Sequence, residues 1–359
     1  YQLVVDELGE ENALALLRNA AYHFILTQMQ VGLYENPYID LDAALETVWN
    51  NTTDVIARQQ QEKTVILLKN SDGLISHSTG EKKTVYIPMI YTAASEATSS
   101  SDATPASWSA STDLKAAEKY FNVVTDTVAA PSGPDGALTE NDIIRASAEE
   151  IAACDMILVS MTAPNTDSSQ DADGNWTPAS LQYEEYTATM ARAESIGKDT
   201  GNRSYNGNTA ARSSSYSSLE LLQYCAGVKG DSKIVVIMSN SSGAASLIWS
   251  EVEPMADAIL YYYGSSSWFN TEVLMEIASG QVEPSALLPY QQPISMDAVE
   301  IQMDDVPRDV ECYVDANGNT YDFAFGLNWS GTIRDERVAT YTAEPLTTPE
   351  SITFHYANQ

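Results

Sequence analysis

The sequence predicts an α/β fold built on a mostly parallel sheet with helices on both faces. Three observations carry that expectation. The runs TVILLKN (Thr64–Asn70), DMILVSM (Asp155–Met161), KIVVIMS (Lys233–Ser239) and AILYYY (Ala258–Tyr263) are apolar throughout rather than alternating, as strands covered on both faces must be. Helix-period segments fall between them, which is the βαβ order. The last run breaks at Gly264 and resumes as a helix-like stretch from Asn270 to Ala278. In open sheets ligands gather at such strand-to-helix turns, so Gly264–Asn270 is the first place to look for chemistry.

Composition narrows the partners. Acidic residues outnumber basic ones 50 to 18 in 359 residues, a formal charge of −32. Such a surface repels phosphate backbones, so no nucleic acid is expected. The acidity is read as serving solubility, or a salty or extracellular medium. A hydrophobic content of 44% permits a large core. No apolar run reaches the roughly 18 residues of a membrane span. Cys154, Cys225 and Cys312 are widely spaced, without a CxxC or Cys/His cluster, so neither a metal nor a cofactor is expected. The chain opens without Met, as a processed or partial product would.

Taken in order, Glu10–Val31 carries Leu14, Leu17, Ala21, Phe24 and Val31 near helical spacing and stops at Gly32. A turn around Pro37 leads to a second helix capped by Asp40. Little nearby covers the apolar face of the first helix, which must pack on something else. KTVYIPMI (Lys83–Ile90) is a further strand. A Ser/Thr/Ala-rich loop (Thr92–Ser111) precedes a helical stretch at Asp113–Tyr120, and another helix is expected at about Asp142–Ala153. The segment from Thr162 to Ser215 is a long polar insertion, with helical character expected at Leu181–Ile196. Loops longer than about 15 residues are functional or decorative, and this one leaves the C-terminal end of a strand. Helices near Ser217–Ala226 and Ala244–Ser250 follow. Asp315–Asn319 and Asp171–Asn175 lack calcium-loop spacing and read as turns.

The chemistry available is limited. His23, His77 and His355 are scattered and no G-x-S-x-G elbow occurs, so Ser/His/Asp catalysis is unsupported. Neither G-x-G-x-x-G nor a P-loop is present. Paired carboxylates remain. Glycoside hydrolysis needs one to protonate the leaving oxygen and a second as nucleophile or base, with aromatic and polar walls to hold the sugar. The insertion supplies Asp167, Trp176, Tyr183, Glu184, Glu185, Arg203 and Tyr205. The turn adds Ser266, Trp268 and Phe269, and the tail adds Trp329. A solvated acidic loop has the same composition.

Four segments together resemble glycoside hydrolase family 3. LLRNAAYHFILTQMQVGLYENPYIDLD is similar to the last helix and linker after that family's catalytic barrel. TVILLKNSDGLI resembles the opening of its second domain. DAILYYYGSSSWFNTEVLMEIASGQVEPSALLP resembles its strand, turn and helix ending in G-x-x-x-PSG-x-LP, and YDFAFGLNWSG resembles its Y-x-F-G-x-GLSY element. The resemblance implies a β-glucosidase-like, retaining, exo-acting enzyme of which this chain is the C-terminal part. Residues 1–60 would be the barrel's last helix and linker, 61–335 a three-layer sandwich around a mostly parallel six-stranded sheet, and 336–359 an extension. The nucleophile, an aspartate in the (β/α)8 barrel, would lie outside this chain, so that barrel portion, or a barrel-bearing chain, is an expected partner beside the carbohydrate substrate. A homo-oligomer is also open, and an extracellular or cell-surface location is expected over a cytoplasmic one.

The acid/base glutamate of the family departs from pattern here. In some members it follows a sandwich strand, but after DMILVSM this chain reads TAPNTD. In others it lies in a G-x-E-G-x-G turn, where Ser265-Ser266-Ser267 stands. Asp167, Glu184 and Glu185 are therefore the candidate acids, with Trp176, Arg203, Tyr205, Ser266 and Trp268 as sugar contacts. The alternative is a noncatalytic carbohydrate-binding or structural protein derived from the same domain.

Overall fold

The computed structural model describes the chain apart from residues 49–50, 97–101, 165, 167–176, 191–206, 242–245, 265–268, 304–305, 307 and 342–359. It forms two compact units, Tyr1–Ala57 and Arg58–Gln359.

The first unit is helical. Helices α1 (Gln2–Leu8) and α2 (Glu10–Gln30) are separated by Gly9, whose φ of +79° breaks the helix without a Cβ clash. Helix α3 (Leu41–Val48) starts where the Ala43 amide donates to Asp40 Oδ1 at 3.0 Å, the expected cap. Helix α4 (Asn51–Glu62) begins here and ends past the boundary. Among the described residues of this unit only Ala13 is buried, while Leu17, Phe24 and Val31 are exposed. Among its described residues the unit forms no core of its own.

The second unit is organised by one sheet. Its strands are β1 (Ile66–Asn70), β2 (Thr84–Ile87), β3 (Asn122–Thr125), β4 (Met156–Thr162), β5 (Lys233–Asn240), β6 (Ala258–Tyr263), β7 (Leu327–Asn328) and β8 (Gly331–Thr332). The spatial order is β8-β7-β1-β6-β5-β4-β2-β3. From β6 to β3 all neighbours are parallel; β1, β7 and β8 form an antiparallel edge. The sheet is thus mixed and eight-stranded rather than six-stranded. The two extra strands are two residues each, too short to carry any periodicity.

The sheet is doubly wound. Connection β2→β3 runs toward one edge, while β4→β5 and β5→β6 run toward the other. With right-handed crossovers this puts α5 (Leu114–Tyr120) on one face and α6 (Ala148–Ala152) and α7 (Tyr216–Val228) on the other. Helix α8 (Thr271–Ala278) packs with α5, and α6 with α7. The reversal lies between β2 and β4, the switch point where open sheets place ligands. A hairpin of Met89–Thr92 and Ser107–Ala110 crosses the C-terminal ends of the strands there.

Three expected helices are corrected. The helix at 142–153 is only α6, started by a Ser147/Glu150 capping box. Residues 143–144 instead pair with Thr127–Val128, because Asp142 ties the preceding turn. The described part of 181–196 is not helical: the chain bends at 181–184, and Tyr186–Thr187 pairs with Thr209–Ala210. At 244–250 the described residues form only a 3-10 turn, Trp249–Glu251. Its Trp249 is fully buried, edge-on to Tyr261 and Tyr321, with Nε1 donating to Gln292 Oε1 at 3.0 Å.

Helix α9 (Met296–Glu300) and helix α10 (Glu336–Tyr341) are the last two described helices. The segments PSALLP and YDFAFGL lie against each other. Leu288 N donates to Phe325 O at 2.7 Å and Ala324 N to Leu288 O at 2.8 Å. A Cβ on Gly326 would sit 2.3 Å from Ala286 O, which explains why glycine stands there.

Asp142 gives a pH prediction. Bonding from the Ser132 side chain and amide, joined by the Thr139 amide and hydroxyl, lowers its pKa to about 2. A depressed carboxylate stabilises the fold above its unfolded pKa near 4, and that contribution is lost as pH falls toward about 2. Thermal unfolding between pH 5 and pH 2 is expected to show this loss, and Asp142→Asn should be less stable at pH 5 with a flatter acid limb. An unchanged acid limb in the variant would refute the assignment.

Candidate functional site

The C-terminal ends of the parallel strands border a cleft of about 680 Å³ on the α5/α8 face. Strand β4 contributes Ser160 and Thr162, β5 contributes Ser239, and β6 contributes Tyr262. Two-residue alternation along the strands brings these side chains onto the cleft face. The segment before α5 adds Ser111 and Asp113. Asp113 caps α5 through Oδ1, which accepts the Lys115 amide at 2.8 Å and the Ala116 amide at 3.3 Å. The Ser111 hydroxyl is buried and has no hydrogen-bond partner among the described residues. Since a buried hydroxyl left unpaired costs about 1–3 kcal/mol, this atom suits a ligand hydroxyl.

The described ends of the turn after β6 flank this cleft, through Tyr262 before it and Thr271 after it. Gly264 N donates to Asn240 O at 2.9 Å, and the Asn240 amide group donates to the Tyr261 hydroxyl at 2.7 Å. Tyr262 packs on Phe269 with ring centres 4.5 Å apart. Burial raises the Tyr262 pKa, so its phenol stays protonated, with a bond to Ser239 opposing part of the shift. Asn270 caps α8 by accepting the Glu272 amide at 2.9 Å, and Thr271 reaches the cleft wall.

Of the residues singled out in the sequence, Asp167, Trp176, Arg203, Tyr205, Ser266 and Trp268 lie outside the described residues. Glu184 and Glu185 are described, on a bend rather than a helix. Glu251 Oε1 accepts the Glu184 amide at 3.0 Å and its Oε2 accepts the Tyr183 amide at 2.6 Å. The Glu184 carboxylate is engaged on both oxygens: Arg212 Nε donates at 3.0 Å and the Tyr216 hydroxyl at 2.7 Å. The Arg212 guanidinium in turn lies 4.4 Å from the Tyr216 ring centre. Burial raises the Glu251 pKa, against the two amide bonds, and the Glu184 charge raises it further. Glu185 is exposed, and neither Glu184 nor Glu185 lines the α5/α8 cleft.

Two aromatic candidates also move. Tyr183 is fully buried, its hydroxyl donating to Thr162 O at 2.7 Å, so it props the end of β4 rather than facing a ligand. Trp329 stacks edge-on with His77 at 5.2 Å beside the antiparallel edge, away from the cleft. Sequence reasoning missed Ser111, Asp113, Ser160 and Ser239. Its one signal for them was the Ser/Thr-rich loop running into the Asp113 cap.

Among the described residues no group of three His, Cys, Asp or Glu could hold a metal. No described helix is long and apolar enough to cross a membrane.

No family model matches the chain. Over 61 residues, 17% of this chain and 9% of the relative, it is 43% identical to β-glucosidase C of Emericella nidulans. Among solved structures it is similar to a β-glucosidase from Erythrobacter marinus, at 17% identity and a TM-score of 0.48, over 91% of this chain and 41% of that one. A β-glucosidase from Listeria innocua in complex with isofagomine matches at 15% identity and a TM-score of 0.48, with the same 91% and 41% coverage. The chain thus spans 41% of those two solved chains and 9% of the curated relative it matches.

Proposed function

We propose that this chain is the sandwich portion of a retaining, exo-acting β-glycosidase of family 3 type. In this reading the α5/α8 cleft forms one wall of the sugar site. A barrel portion outside the chain carries the nucleophile, and the proton donor comes from the insertion after β4, from Asp167, Glu184 or Glu185. The observation that carries the reading is the cleft at the switch point with the unpartnered Ser111 hydroxyl. The helices of Tyr1–Ala57 add support, because their apolar faces bury only Ala13 among the described residues and suit a covering partner such as a barrel.

The test is hydrolysis of an aryl β-glucoside by the polypeptide that includes the barrel portion. Turnover is expected. Neutralising the true proton donor, by Asp167→Asn, Glu184→Gln or Glu185→Gln, should reduce kcat/KM by about 10²–10⁴ toward a poorly departing aglycone. With an activated aryl leaving group, where breakdown of the glycosyl intermediate limits turnover, added azide should raise kcat by intercepting that intermediate. A folded, barrel-containing protein inert on aryl β-glycosides of every common sugar would overturn the reading. The serines at 265–267, where turn-type members of the resembled family carry glutamate, favour a second reading as a noncatalytic carbohydrate-binding protein. Saccharide binding without turnover, with the barrel present, would select it.

A further inference from the structure

The hairpin over the switch point separates two clefts. Ser109 and Ala110 border the α5/α8 cleft, Ile90 lies on both linings, and Tyr91 and Trp108, paired with each other, border a second cleft on the α7 side. That second cleft encloses about 640 Å³ and also presents Arg145, Ser217 and Tyr224. We propose that it is a second binding site, for a neutral saccharide of about disaccharide size.

The walls are fixed before any ligand arrives. Arg145 Nη1 donates to buried Asp126 Oδ2 and to Met89 O, both at 2.7 Å. Its guanidinium carbon lies 5.3 Å from the Trp108 ring centre and 4.9 Å from that of Tyr224. The donors on Nε and Nη2 have no hydrogen-bond partner among the described residues. Trp108 Nε1 donates to Thr139 O at 2.9 Å and the Tyr91 hydroxyl to Leu138 O at 3.3 Å, which locks both rings. A guanidinium oriented from beneath and aromatic walls held at their edges form a prepared site.

Charge selects the ligand. Asp126 offsets Arg145, and Glu140 and Glu220 stand on the lining. The local balance is negative within a molecule of charge −32, so an anion is disfavoured. A cation would meet Arg145 at the centre. A neutral polyol avoids both penalties: its hydroxyls accept from Arg145 and donate to the two carboxylates, and its C–H faces rest on the rings. The volume suits one or two sugar rings, within the roughly 300–1,000 Å³ of ordinary ligand sites. The inference borrows from the proposed function only the choice of probe.

Calorimetric titration of the 359-residue chain tests it, with cellobiose as the neutral probe, glucuronate as the anion and choline as the cation. Cellobiose is expected to bind in the millimolar range, with the other two weaker by at least ~10-fold. Ser217→Trp, an exposed position that fills the cleft without touching the core, should weaken cellobiose by at least ~10-fold. Trp108→Ala should do the same, whereas Ser109→Trp should leave this binding in place. Melting curves check that each variant is folded. Absence of cellobiose binding, preference for glucuronate or choline, or indifference to Ser217→Trp would overturn the proposal. Loss caused only by Ser109→Trp would also overturn it, while leaving the reading of the first cleft intact.

Discussion

Replacing Asp126 with alanine is expected to lower the unfolding free energy by about 3–5 kcal/mol, the cost of breaking a buried ion pair. Its carboxylate is fully buried and accepts from four separate groups: the Tyr86 hydroxyl at 2.7 Å, the Met89 amide at 2.8 Å, the Ala146 amide at 3.0 Å and Arg145 at 2.7 Å. Alanine would leave a partly buried guanidinium without its counter-charge and a buried phenol without an acceptor. These groups tie the end of β2 to the segment entering α6, so the loss would reach the hairpin and the second cleft. Asp126→Asn keeps the shape but removes the charge and turns an N–H toward donors, so a smaller loss is expected. Arg145→Met made on Asp126→Ala should cost less than Arg145→Met alone, because the unpaired cation is then removed. Urea unfolding followed by circular dichroism measures all four proteins. A loss below about 1 kcal/mol for Asp126→Ala would refute this account. The same hub sets an alkaline signature. Burial foremost, and then Asp126, raise the Tyr86 pKa, so its contribution holds below the unfolded tyrosine pKa near 10 and is lost as pH rises beyond it.

The central sheet was legible because its strands are self-announcing. Residues 156–159, 234–238 and 258–262 are buried without a break, and only strands covered on both faces carry such runs. Helix α8 was legible for a different reason, since Asn270 caps it locally. The bend at Glu184 was not. Tyr183 and Tyr186 are buried three residues apart, a spacing that suggests a helix, yet the amides of Tyr183 and Glu184 are taken by Glu251, which lies far along the chain. A bond that distant overrides local propensity and leaves no mark in a sequence window. The α5/α8 cleft is hidden for the same reason: Ser111, Ser160, Ser239 and Tyr262 meet only once β4, β5 and β6 are in register. The antiparallel edge escaped because β7 and β8 are two residues each.

Gly280→Ala is expected to cost about 3 kcal/mol or more, although it adds a single methyl group. Gly280 follows the C-terminus of α8 with φ of +78°, the left-handed residue that closes many helices. An L side chain in that region costs roughly 1–2 kcal/mol by itself. Here the new Cβ would also sit 1.8 Å from Ser76 O and 2.9 Å from its carbon. That oxygen is backbone and cannot swing aside, so the chain at Ser76–Ser78 must move. The move breaks the bond from the Ser78 amide to Gly280 O, 2.8 Å long, worth about a further 1 kcal/mol. Gly318→Ala isolates the steric part, because Gly318 has φ of +80° and nothing within 4 Å of the added Cβ. Urea unfolding of both variants should place Gly280→Ala well beyond Gly318→Ala, whose loss should stay near the conformational cost alone. Equal losses would mean that the Ser76 overlap is relieved without penalty. Because Gly280 fixes where the chain leaves α8, and α8 carries the Thr271 and Leu274 wall of the first cleft, the strain would reach that cleft as well. Ligand contacts of the cleft are then expected to weaken in Gly280→Ala and to persist in Gly318→Ala.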